Sequence, residues 1–154
     1  NCPISDMKIS VFIGAFFTVL SMWMTSVQIE YKELIGAWQL VHFDGMEKIV
    51  YSEQYQNASP AQRASMDARI KFRLENTVYE FLEGETLKYI ELQDQTIVRK
   101  EAKVELREGN LLLIHDEKGD RLAQIVEFSP TKLVLQPISK NANTGKLIFE
   151  RIKK

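Results

Sequence analysis

Two histidines, one cysteine and a recurring set of strand glutamates are the side chains in this chain whose types offer chemistry beyond packing. His42 and His115 have no His-x-Glu, His-Glu-x-x-His or paired-histidine spacing around them, whereas a transition-metal site needs three or four such ligands. Each is expected to be a rim or half-buried group with one hydrogen bond, and neither a metal nor a cofactor is expected. Cys2 is the lone cysteine, so no disulfide can form within the chain. Glu80, Glu91, Glu105, Glu127 and Glu150 recur within alternating runs. An inward pair of them could act as acid and base, but the solvated outer face of a half-covered sheet accounts for them more simply. There is no Gly-x-Ser-x-Gly elbow, phosphate-cradling glycine loop or dinucleotide fingerprint. Residues 116–120, Asp-Glu-Lys-Gly-Asp, lack the ligand periodicity of a calcium loop and are expected as a charged turn. What remains is aromatic: Trp38, Phe43, Tyr79, Phe81, Tyr89, Phe128 and Phe149, rings suited to a core or to the wall of an apolar pocket.

The elements that would position these residues follow from size and pattern. With 154 residues the chain has room for one domain, and 45% apolar with 27% charged residues is the balance of a globular protein. Twenty Lys plus Arg stand against 21 Asp plus Glu, interleaved, for a net charge of −1. A nucleic-acid partner would require a basic face, and the only dense basic run, Arg151, Lys153 and Lys154, is short, so no such partner is expected. From Met7 a single lysine precedes an uncharged apolar stretch reaching Met24, the layout of a signal peptide and too short for a comfortable membrane span. Residues 1–27 are therefore expected to be a leader with a signal helix, and 28–154 the domain, periplasmic or secreted, with no stable membrane span once mature. No cysteine follows the leader to carry a lipid.

Residues 36–43 form the first expected strand. Ser59, Pro60 and Gln62 then supply a capping box with proline at the first helical position, opening a helix that runs to about residue 74. From Asn76 onward the period becomes two, with turn residues every ten or so positions: 77–82, 86–92, 96–107, 111–115, 121–128, 132–136 and 146–152. With the first strand this gives a mainly β fold of about eight sequence-adjacent strands, expected to close as an up-and-down antiparallel barrel. An open sandwich of the same strands is the alternative. If Trp38 points inward, strict alternation takes Leu40 and His42 inward with it, and Phe149 with Arg151 on the last strand.

At Gly36-Ala37-Trp38 the first strand resembles the Gly-x-Trp opening of lipocalins. With its helix after the first strand and Tyr79-Glu80-Phe81 opening the next hairpin, the chain is more similar to the lipocalin-like domains of exported Bacteroidota proteins. The resemblance implies that Trp38 closes one end of the barrel with Arg151 packed over it, and that the cup takes up a small, partly hydrophobic ligand. Trp38, Leu40, His42, Tyr79, Phe81, Tyr89, His115 and Phe149 are the candidate wall residues. Two other readings stay open: a filled barrel acting through its outer surface as an interaction or inhibitor module, and an isomerase or dehydratase of the kind such barrels host. A hollow and a packed interior both fit this pattern, as does more than one oligomeric state.

Overall fold

In a computed structural model, which describes residues 27–94, 96–140 and 145–154, the period-two segments become eight antiparallel strands in one closed barrel. They are β1 (Gly36–Phe43), β2 (Val78–Leu82), β3 (Thr86–Gln93), β4 (Thr96–Arg107), β5 (Leu111–Asp116), β6 (Gly119–Phe128), β7 (Lys132–Ile138) and β8 (Leu147–Arg151). Each pairs with its sequence neighbour, and β8 pairs back onto β1 with Trp38 opposite Arg151 and Leu40 opposite Phe149. Closure leaves no unpaired edge, which excludes the open sandwich. The signal helix and nearly all of the leader expected over residues 1–27 lie outside the described residues.

Among the described residues four helices accompany the strands: α1 (Tyr31–Leu34) before β1, then α2 (Gly45–Val50), α3 (Glu53–Gln56) and α4 (Pro60–Asn76) between β1 and β2. Only α4 is legible in the sequence. It starts where Ser59 Oγ accepts from the Gln62 amide at 3.3 Å and Gln62 Oε1 accepts from the Ser59 amide at 2.9 Å. Its Ile70 and Leu74 pack against the core, and Gln39 donates its side-chain amide to the carbonyls of Leu74 and Thr77, tying the helix end to β1.

Inward-facing residues follow the two-residue period: Leu87 and Tyr89 on β3, Ala102 and Val104 on β4, Leu112 and Ile114 on β5, Ala123 and Ile125 on β6, Leu133 and Leu135 on β7. Two bulges interrupt it, on β1 between Leu40 and His42 and on β6 between Ile125 and Glu127. Each adds a residue to one strand and reverses the facing of everything beyond it. The chain thus defines two barrel ends. At one lie the start of β1, α1 and the β2–β3, β4–β5 and β6–β7 turns; at the other lie the end of β1, α4 and the β5–β6 turn.

Candidate functional site

The α1 end is filled and sealed. Trp38, Phe81, Leu87, Leu112, Leu133 and Leu34 are completely buried there, with Phe128 leaning on the tryptophan at 6.0 Å between ring centroids. Trp38 Nε1 donates to the Leu34 carbonyl at 2.9 Å, so the polar atom of the indole is satisfied inside the core. The Arg151 guanidinium lies 4.2 Å from the Trp38 ring centroid, and all three of its nitrogens donate to carbonyls: Nε to Pro130 at 2.6 Å, Nη1 to Ile35 at 2.7 Å and Nη2 to Glu33 at 2.7 Å. Gly36 makes this approach possible. Its φ is +135°, and a Cβ there would sit 2.6 Å from Arg151 Nη1.

The opposite end is hollow and polar. A cavity of about 330 Å³ opens there, lined by Leu40, Tyr79, Tyr89 and Leu147 from the barrel wall, Glu91 and Leu92 from the end of β3, and Arg73 from α4. Tyr79 lies beside Phe149 at 4.9 Å and Tyr89 at 5.7 Å between centroids, so a run of three rings separates the cavity from the packed interior. Tyr89 continues into a charged cluster at the β5–β6 turn. Its hydroxyl lies 3.1 Å from both Asp116 Oδ2 and Arg121 Nη2, and Arg121 Nη2 is 2.8 Å from Asp116 Oδ2. The Asp116 side chain is only 7% exposed, and its Oδ1 accepts from the Lys118 amide at 2.8 Å. Burial alone would raise the Asp116 pKa, but the Lys118 amide, the Arg121 charge and the Tyr89 hydroxyl hold it below the usual carboxylate value. Burial raises Tyr79 and Tyr89 above the ordinary phenol value, so both remain neutral hydrogen-bonding groups at physiological pH. Across the mouth, Lys100 Nζ bonds Glu91 Oε2 at 2.9 Å.

The expected wall residues therefore divide into three groups. Tyr79, Tyr89 and Leu40 are brought together at the cavity. Trp38, Phe81 and Phe149 are each 0% exposed and form core, with Phe149 beneath Tyr79. The two histidines are not wall residues. His42 was expected on the Trp38 face, but the bulge after Leu40 turns Phe43 inward instead, and His42 sits opposite Ile148 with its Nε2 4.0 Å from Asp44 and from Glu47. His115 follows the inward Ile114 and so faces out, its Nδ1 2.6 Å from Asp120 Oδ1 and its Nε2 4.0 Å from Glu105. Conversely Glu91, expected on a solvated outer face, follows Leu87 and Tyr89 onto the inner one. Arg73, Lys100 and Arg121 are not among the residues the sequence singles out, and Asp116 is expected there only as part of a charged turn. For Asp116 and Arg121 the signal was available: stepping by two from Leu112 and Ile114 gives Asp116, and stepping back by two from Ile125 and Ala123 gives Arg121.

Among the described residues there is no group of three or more His, Cys, Asp or Glu side chains placed to hold a metal ion, and no helix long and apolar enough to cross a membrane.

No protein-family model matches the chain, and no curated protein does. Among solved structures it is similar to bovine odorant binding protein in complex with a selenium-containing odorant, at 17% identity and a TM-score of 0.45 over 84% of this chain and 76% of that one. It is also similar to the same bovine protein in complex with undecanal, at 18% identity and a TM-score of 0.45, over 84% and 77% of the two chains. The barrel assignment stands on the chain's own strand pairing.

Proposed function

We propose that this chain is an exported binding protein of the lipocalin-like kind, of the type with a helix inserted after the first strand that Bacteroidota export, and that it takes up a small, partly apolar molecule at the α4 end of its barrel. The observation that carries this reading is the asymmetry of the interior. Packing is complete from Trp38 up to Phe149, yet a cavity of about 330 Å³ is kept above it, between Leu40, Tyr79, Tyr89 and Leu147. A solid barrel would fill that space with larger side chains, because an unfilled core volume is destabilising. Pockets for small ligands combine apolar walls with a few placed polar groups, and 330 Å³ lies at the small end of their range.

The test is a fluorescence titration with the neutral dye phenylnaphthylamine, whose emission rises on entering an apolar site. The wild-type protein is expected to bind one equivalent. Leu147→Trp, which fills the cavity from β8, is expected to abolish binding with its circular dichroism unchanged, while Val126→Trp, an enlargement at least as great on the outer surface, leaves it intact. Binding that survives Leu147→Trp would place the dye elsewhere and sink the reading. The proposed export is checked separately by the mass of the chain recovered outside the cytoplasm, which should lack the leader.

A further inference from the structure

The charges at the barrel mouth are unequally partnered, and the inequality says what kind of molecule belongs there. Lys100 is neutralised by Glu91 and Arg121 by Asp116. Arg73 makes no ion pair and its guanidinium no hydrogen bond with another described residue; its contact is with the Phe43 ring, 4.1 Å from the centroid. Stacked in that way, the guanidinium gives one face to the phenylalanine and keeps its N–H edge free. It forms the wall between the mouth cavity and the cleft beneath α4 that Phe43, Ile49, Met66 and Ile70 also line. Tyr79, in the same cavity wall, likewise forms no side-chain hydrogen bond with another described residue, and its hydroxyl feels Arg121 and Arg73 on one side and Glu91 and Asp116 on the other. Arg121 Nε is buried without a hydrogen-bond partner among the described residues. The cavity thus presents one uncompensated positive charge and a spare hydroxyl beside the apolar side chains of Leu40 and Leu147.

We infer, resting on the binding reading above, that the ligand is a small organic anion whose apolar body lies against Leu40 and Leu147 and whose carboxylate is taken by the Arg73 guanidinium and the Tyr79 hydroxyl. A guanidinium edge matches a carboxylate with two parallel hydrogen bonds, and such charge-assisted bonds are about twice as strong as neutral ones. A neutral ligand would gain no charge-assisted bond from Arg73, which is exposed at the mouth, and a cationic one would be repelled by it. The volume suits a compact aromatic body or a short chain rather than a long lipid tail.

Calorimetric titration with phenylbutyrate, phenylbutyramide and phenylbutylamine, equal in shape and different in charge, tests this. The acid is expected to bind at least about 10-fold more tightly than the amide, as one charge-assisted pair provides, with the amine weakest. Arg73→Met should remove the preference for the acid and leave the amide affinity within about twofold, while Arg73→Lys, which keeps the charge but loses the fork, should retain part of it. Equal binding of acid and amide by the wild type, or a preference that persists in Arg73→Met, overturns the inference. If phenylnaphthylamine still enters the cavity when the acid shows no preference, the anion inference alone falls; if the dye and all three probes fail to enter, the binding reading falls with it.

Discussion

Two arginines lie over aromatic rings at opposite ends of this barrel, Arg151 4.2 Å above Trp38 and Arg73 4.1 Å above Phe43. The first spends every nitrogen on the protein itself, closing three backbone carbonyls over a ring with no solvent exposure. The second borders a cavity and makes no ion pair among the described residues. The same pairing of residue types is therefore a clamp at one end and a reserve at the other. Hydrogen-bond satisfaction, not the cation–ring contact, separates the two: a saturated guanidinium has nothing left to offer a ligand, whereas the exposed guanidinium of Arg73 keeps its N–H edge available to an incoming group.

If that contrast is correct, damage at the two ends must have opposite consequences. The largest stability loss is expected for Trp38→Ala, about 3–5 kcal/mol by urea denaturation, because the removed ring is fully buried and its neighbours cannot collapse into the space. Arg151→Met should cost about 2–4 kcal/mol, since three carbonyls lose their donors as well as the ring contact. Asp116→Asn at the mouth should cost less, about 1–2 kcal/mol, from weakening its bonds to Arg121 and Tyr89. It should also flatten the acid limb of stability. Asp116 has a folded-state pKa below its unfolded value, so its contribution is present above about pH 4 and is lost as the pH falls through the lowered value. Unfolding midpoints measured from neutral to acidic pH should therefore fall less steeply in the variant. Arg73→Met should be nearly silent in denaturation, below about 1 kcal/mol. A large loss there with a small one for Arg151→Met would invert the contrast and dissolve it.

The strands were legible because one face of each is buried, so that a two-residue rhythm has to appear in the sequence, and hairpins between adjacent strands leave little choice of order. Trp38 and Arg151 could be paired through the Gly36-Ala37-Trp38 resemblance. The mouth was far less legible. One extra residue after Leu40 was enough to send His42 outward and Phe43 inward, and a bulge leaves no mark in residue types. In Leu111-Leu112-Leu113-Ile114 an unbroken apolar run hides which residues face in, and so hides that His115 faces out and Asp116 in. The charged stretch from Asp116 to Arg121 looks like any solvated turn until the parity of Ile114 and Ala123 is carried into it. Arg73 lies on a helix with no buried residues, whose position over the barrel depends on side chains far away in sequence, Gln39 and Phe43. Helices α1 to α3 are too short to be stable alone and owe their existence to such contacts.

The claim on which all of this turns is that the barrel is closed below and receptive above. Amide chemical-shift mapping with phenylnaphthylamine tests it in one experiment. Perturbations are expected to concentrate at Leu40, Tyr79, Tyr89, Leu147 and the α4 residues around Arg73, with Leu34, Trp38, Leu112 and Leu133 unmoved. Shifts centred on those four, or scattered over the outer strands, would contradict it.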